Sequence, residues 1–194
     1  MRAKVILLSA VAAALLSGCA FKSSKVEFTP PMSVYMGEKA YSKAYIKPFE
    51  DVRSDKQMLG SIKNKSGEII GMMATDQNMA QWFGNAFEKE MRAAGFAPVS
   101  SEGDADYTYN LSLKKLDAEY IQTEISGKNL HLVMEIEVKI LKGGNSVTKQ
   151  YKYNESKWTK PLFNAESLKD TLEPFVKEGI TATVKDLVAL SKTK

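Results

Sequence analysis

The sequence predicts an α+β protein: a two-layer sandwich with a mostly antiparallel sheet of about four to five strands and two amphipathic helices on one face. Three observations predict it. Met79, Trp82, Phe83, Ala86, Phe87, Met91 and Ala94 recur at three- and four-residue spacing, one apolar stripe on a helix. Tyr107–Leu113 and Leu132–Ile140 alternate apolar with polar residues, the period of a half-buried strand. Leu168, Leu172, Phe175, Val176, Ile180, Val184, Leu187 and Val188 form a second helical stripe near the C-terminus.

Taken in order, the chain opens with Arg2 and Lys4 ahead of an apolar run, Val5–Leu16. That run of about 12 residues is too short to span a bilayer as a helix, which needs roughly 20. A charged start, a short apolar middle and small residues at the end are the parts of a secretory signal. The ending, Leu16-Ser17-Gly18-Cys19, resembles the lipobox of bacterial lipoproteins. The resemblance implies cleavage before Cys19, a diacylglycerol on its sulfur and a fatty acyl group such as palmitate on the new amino terminus. Ala20 after the cysteine, where an Asp favours retention in the inner membrane, implies by the same analogy the outer membrane, with the domain on the periplasmic side. Residues 1–18 are therefore read as a signal peptide, 19–42 as lipidated anchor and tether, and 43–194 as one domain.

The tether reading rests on Ser23-Ser24, Pro30-Pro31 and Gly37, because a residue before proline is biased to extended backbone. The alternative is an edge strand near Lys25–Phe28 with Val26 and Phe28 on one face. Lys43–Phe49 reads as the first strand of the domain, with Pro48 at its end because proline cannot donate to a ladder. The polar run Glu50–Asp55 then reads as a loop, and Ile62 and Ile69-Ile70 flank a hairpin around Lys65-Ser66-Gly67. Thr75-Asp76 supplies a start for the first helix and Gly95 its C′ stop. Phe96–Val99 reads as a short strand, and Tyr107–Leu113 as a longer one that extends toward Tyr120. A turn at Ser126–Asn129 and a hairpin at Lys142–Asn145 lead through Leu132–Ile140 into Val147–Tyr153, so these strands pair antiparallel. The last helix is expected to start near Thr171, after a separate capped turn at Ser167–Asp170, because Pro174 is tolerated in a first turn and costs about 3 kcal/mol inside a helix.

Composition narrows the function classes. Of 27 basic groups, Arg2 and Lys4 leave with the signal, so 25 face 23 acidic groups, a net of +2. That is no basic stripe for nucleic acid. The one cysteine is the anchor, which leaves no disulfide, and His131 alone makes no His-His metal spacing. No metal and no cofactor are expected.

Few residues invite chemistry. Asp51 and Asp55, beside Arg53, read as an acid–base or cation-holding pair, or as a solvated loop in which Arg53 pairs with an acid. No Gly-x-Ser-x-Gly elbow accompanies His131, and Lys142-Gly143-Gly144-Asn145 joins strands rather than opening a helix, so it is no phosphate loop. Trp158 lies in a polar stretch outside any stripe, flanked by Lys157 and Thr159. It reads as part of a partner surface or headgroup contact, or as a cover for the helix–sheet seam.

The acidic-Arg loop after a first strand, Glu88-Lys89-Glu90-Met91-Arg92-Ala93-Ala94-Gly95-Phe96, and Val147-Thr148-Lys149-Gln150-Tyr151 after a Gly-Asn turn together resemble the YajG-like family of bacterial lipoproteins, over about Tyr45–Leu190. More broadly the order resembles small α+β domains of envelope machines, such as the amino-terminal domain of TolB and pore lipoproteins of the CsgG type, although a long amphipathic hairpin pair is missing. The resemblance implies no enzyme activity. It implies a non-catalytic envelope lipoprotein, membrane-held through its lipid, that docks or adapts another envelope protein. Trp158, Asp51, Arg53 and Asp55 are the candidate partner surface. The alternative is a small-ligand or glycan binder with a pocket between sheet and helices, lined by Tyr107, Tyr109 or Trp158.

Overall fold

The computed structural model describes residues 24–32, 42–122, 129–159 and 164–192. In order these form β1 (Ser24–Lys25), β2 (Ser42–Ile46), β3 (Glu50–Asp51), β4 (Met58–Lys63), β5 (Ile69–Ala74), α1 (Met79–Ala93), β6 (Phe96–Pro98), a 3-10 turn, β7 (Tyr107–Ile121), β8 (Leu130–Lys142), β9 (Asn145–Lys157) and α2 (Ala165–Lys192). The lipobox, residues 126–128 of the expected turn and residues 33–41 of the expected tether lie outside the described residues.

Strand β7 is the axis. On one side it pairs antiparallel with β8, and β8 with β9, in two long ladders. On the other side β2, β3 and β4 lie end to end along it, all parallel to it. Strand β6 extends the sheet beside β2, and β5 then β1 beside β4. The two-layer α+β class holds, but the described sheet has nine strands, not four to five. The long ladders are antiparallel as expected, while five short pairings are parallel. Strands of two to five residues, as in β1, β2 and β3, are too short for alternation to show.

Register explains the core. Tyr109, Leu111, Leu113, Leu116, Ala118 and Tyr120 of β7 oppose Ile140, Val138, Ile136, Met134, Leu132 and Leu130 of β8 on the helix side. A bulge at Lys114 resets the phase between Leu113 and Leu116, so both face inward across an odd gap. The other face of these strands is polar, with Lys114–Glu137 and Lys152–Glu135 pairs. The helices therefore cover one face only. Strand β4 sits so close to β7 that a Cβ on Gly60 would lie 2.0 Å from the Ala118 carbonyl oxygen, and only glycine fits there.

Helix α1 carries the expected stripe, all buried. Its cap is Asn78, whose side chain accepts from the Gln81 N–H at 3.0 Å, rather than Thr75-Asp76. Thr75 is still tied to the sheet through its N–H to the Gln57 carbonyl, so the helix begins later. Helix α2 likewise departs from expectation. Asn164 caps it by accepting from the Ser167 N–H, and it runs unbroken through Pro174. Pro174 lies on the exposed side. Burial of Leu168 and Leu172 ahead of it, worth about 1.5–3 kcal/mol each, offsets the roughly 3 kcal/mol cost of the proline.

Residues 24–32 correct the tether reading. Val26 and Phe28 are 2% and 3% exposed, and the Phe28 ring lies 5.2 Å from that of Trp82. The Val26 N–H donates to the Ala74 carbonyl, Trp82 Nε1 donates to the Thr29 carbonyl, and Lys89 Nζ to the Pro31 carbonyl. The edge-strand alternative describes this stretch, which straps the sheet edge to both helices.

The strap is pH-sensitive at one point. The Thr29 N–H and hydroxyl both donate to Glu173 on α2, and Lys177 lies 2.6 Å from the same carboxylate. Burial pushes the Glu173 carboxyl up, but Lys177 and the two Thr29 donors outweigh it and hold the group below the ordinary 4.5. A depressed folded value means stability that is whole above about pH 4.5 and lost as pH falls toward the folded value. Thermal melts taken from neutral into acid pH are expected to show a loss in the wild type that Glu173→Gln reduces; parallel curves for the two proteins would contradict this.

Candidate functional site

The densest polar cluster is a clamp. Asp51 and Arg53 side chains are 3% and 5% exposed. Arg53 Nε and Nη2 donate to the two Asp51 carboxylate oxygens at 2.9 and 2.7 Å, a bidentate pair. Arg53 Nη1 reaches the Met58 carbonyl and Nη2 the Lys56 carbonyl, each at 2.7 Å. Asp55 accepts from the Gln57 and Met58 N–H groups at 3.0 Å. Together they cinch the excursion between β3 and β4, so both strands can lie along β7. Burial and mutual satisfaction take Asp51 and Arg53 off the candidate partner surface and leave Asp51 no free oxygen for an acid–base or cation-holding pair with Asp55. Asp55 is exposed but is spent on the turn.

Trp158 is brought nowhere near them. Asp51 registers with Leu113, whereas Lys157 registers with Leu130 and Leu130 with Tyr120. Seven residues along β7 at about 3.3 Å each put them on the order of 23 Å apart along the strand. Trp158 is 56% exposed, so it covers no seam. Its backbone is held, because Asn129 Oδ1 accepts from the Thr159 N–H at 2.7 Å and Asn129 Nδ2 donates to the Thr159 carbonyl at 2.9 Å.

The space between sheet and helices is filled where the ligand reading placed a pocket. Tyr109 is 1% exposed and packs on Phe96 and Tyr107. Tyr107 donates to the Ser191 carbonyl and edges a shallow groove of about 220 Å³ with Val147 and Leu190. A larger groove of about 470 Å³ runs beside the strap, past Phe28 and Trp82. Both open to solvent rather than enclose a ligand.

His131 has a partner that sequence reasoning missed: Nδ1 lies 2.8 Å from the Ser156 hydroxyl, directly across the β8–β9 ladder. Glu119 stands opposite His131 on β7 but pairs with Lys63. The row lies on the open polar sheet face and is a cross-strand bridge. Among the described residues no group of three or more His, Cys, Asp or Glu is placed to hold a metal ion. No described helix is long and apolar enough to cross a membrane.

The feature with most unfilled bonding capacity is β9. Its 13 residues pair with β8 alone among the described strands. A two-residue turn through Gly143 and Gly144, at φ 54° and 82°, makes Lys142 and Asn145 the last hydrogen-bonded pair. Lys157, also odd-numbered, accepts from Asn129. Even-numbered residues from Ser146 to Ser156 therefore turn their N–H and C=O outward. The helix-side residues of β9 are fixed to α2 by polar contacts: Tyr151 donates to Asp186 at 2.6 Å, Lys149 to Asp186 at 2.9 Å, and Tyr153 meets Thr183 at 2.8 Å. The bonds from Tyr151, first, and Lys149 hold the Asp186 carboxyl below its usual range. Alternation in the sequence reveals the two faces of β9 but not that its outer side pairs with no described strand.

A family model described as "Uncharacterized lipoprotein" matches residues 49–188. The protein XCC0632 from Xanthomonas campestris has a similar structure, with a TM-score of 0.59 at 10% identity, covering 88% of this chain and 97% of that one. A second structure, described only as an uncharacterized protein, scores 0.56 at 9% identity over 86% of this chain and 99% of its own. At such identities the likeness is one of fold. A search of curated proteins finds no match.

Proposed function

The chain belongs to the uncharacterized lipoprotein family, the YajG-like family its motifs resemble, and from that premise we propose that it is a non-catalytic docking module of the cell envelope. It is lipid-anchored through Cys19 to the outer membrane on the periplasmic side. Its folded part holds another envelope protein by adding that partner's extended strand to the edge of β9. The observation that carries this reading is the 13-residue edge of β9 that no described strand pairs with. Main-chain hydrogen bonds to such an edge give affinity without a deep pocket. The lysines along β9, paired with Asp186, Glu135 and Glu155, keep the edge soluble until a strand of the right register arrives. The filled interlayer core and the spent Asp51–Arg53–Asp55 cluster support binding over catalysis.

The test is Gln150→Pro. Position 150 turns its N–H away from β8, so proline there leaves the β8 ladder intact and removes one outward donor. A photoreactive residue at position 154 in whole cells is expected to give one discrete protein adduct that Gln150→Pro abolishes without lowering Tm. An adduct unaffected by the proline would place docking elsewhere, and no adduct from membrane-bound, folded protein would sink the strand-addition reading.

A further inference from the structure

We propose that the end of the sheet carrying Ile69 and Trp158 rests on the lipid surface that holds the anchor. The inference rests on the reading of Cys19 as lipidated, and takes the membrane as its one occupant.

The argument starts from strand polarity. Strand β1 runs parallel to β5, with Ser24 beside Met73. Strand β1 therefore begins on the side of β5 that leads back to Ile69. Met73 lies four residues past Ile69 along β5, about 13 Å at strand rise. Cys19 is five residues before Ser24, and five residues reach at most about 17 Å. The anchor is thus held within about 17 Å of the start of β1, a radius that includes the Ile69 end. A domain tethered that closely lies against its membrane.

That end of the sheet is a single row. Ile69 registers with Lys63, and Lys63 with Ile121. The Ile121 N–H donates to the Asn129 carbonyl, and the Asn129 N–H to the Lys157 carbonyl, next to Trp158. Five strands span roughly 19 Å between the two outermost residues. Those two are Ile69 and Trp158, 57% and 56% exposed. An indole held on a fixed backbone at the rim of a polar body is the group that partitions to the headgroup level of a bilayer.

Charge adds little here. Lys63 pairs with Glu119, and Lys157 with Glu155 at 3.1 Å. The contact is therefore carried by the indole and the isoleucine, and it is expected to survive high salt and to need no anionic lipid. That separates it from polybasic attachment.

The experiment uses the full-length lipidated protein in vesicles of phosphatidylcholine brominated on its acyl chains, with tryptophan fluorescence as the readout and flotation as the control. Trp82 is buried, so the difference between wild type and Trp158→Phe isolates Trp158. Expected are quenching in the wild type, its loss in Trp158→Phe, its reduction in Ile69→Asp, and little change in high salt. Pure lipid vesicles contain no protein partner, so quenching there cannot come from one. Protein that floats with the vesicles but shows equal quenching in wild type and Trp158→Phe overturns the contact while leaving the anchor intact. Quenching that requires phosphatidylglycerol and vanishes in salt also overturns it, in favour of a charged surface. Protein that fails to float overturns the anchor, and the contact with it.

Discussion

Replacing Arg53 with alanine is expected to cost about 3–5 kcal/mol of stability, the range for removing one partner of a buried ion pair. The size follows from what the guanidinium leaves behind. Asp51 stays buried with Oδ2 deprived of its donor and Oδ1 left with the residue-53 backbone N–H at 3.2 Å, and the Met58 and Lys56 carbonyls lose theirs. The excursion between β3 and β4 loses its clasp, and the parallel pairings of both strands with β7 loosen together. Replacing the pair with apolar residues, Asp51→Leu with Arg53→Met, is expected to cost less than Arg53→Ala alone, because no uncompensated charge remains. Urea unfolding of the wild type, Asp51→Leu, Arg53→Met and the double variant measures the coupling. A cost for Arg53→Ala under about 1 kcal/mol, the level of a surface ion pair, would return the loop to the solvated reading.

That cluster also shows what a sequence can and cannot disclose. An arginine between two aspartates is legible, including its pairing with an acid. Its burial is not, because it depends on β3 and β4 both finding β7, a strand about sixty residues further on. The buried face of helix α1 is legible because seven apolar residues repeat the same spacing in one short window, while its cap is not, since Thr75, Asp76 and Asn78 are all capping residue types. The same rule hid Glu90, a charged residue next to the stripe that is buried and accepts from Thr181 of α2 at 2.9 Å. Strand β7 reads cleanly to Leu113 and then loses phase at a bulge that the pattern alone records as an irregularity. Trp158 is visible as an outlier in a polar stretch, and it is 56% exposed. Residues 24–32 misled because paired prolines favour extended backbone in a tether and in a strap alike.

The two proposed surfaces fit one orientation. Strand β9 runs from the Gly143-Gly144 turn to Lys157, beside Trp158. With the Trp158 end on the membrane, β9 stands away from it and its free edge faces sideways, along the bilayer. A partner strand anchored in the same membrane meets that edge without having to reach over the domain. The distance between anchor and strap then matters: the five residues from Cys19 to Ser24 reach at most about 17 Å, which limits how far the edge can stand from the membrane. Lengthening that segment should leave folding untouched and weaken the cross-link from position 154.

Phe87→Ala is expected to cost about 3–5 kcal/mol, the usual range for deleting a fully buried phenyl group. Phe87 is fully buried on α1 and stacks on Phe49, 5.7 Å between ring centres, while Phe49 also stacks on Phe83 at 5.3 Å. The cavity would open between α1 and the β2–β3 connection, where rigid aromatic neighbours on both sides leave little room to collapse. Phe28→Ala is the informative comparison. It removes the same side chain from the strap, against Trp82, and its site lies beside an open groove into which the surroundings can relax. A cost at or somewhat below the lower end of the same range is expected, with Trp82 becoming more accessible to acrylamide. Were residues 24–32 a mere spacer, Phe28→Ala would shift the unfolding midpoint no more than an ordinary surface change, within about 0.5 kcal/mol. A cost of several kcal/mol at both positions would instead make the strap part of the cooperative core, and tie the fold to the segment that leads to the membrane.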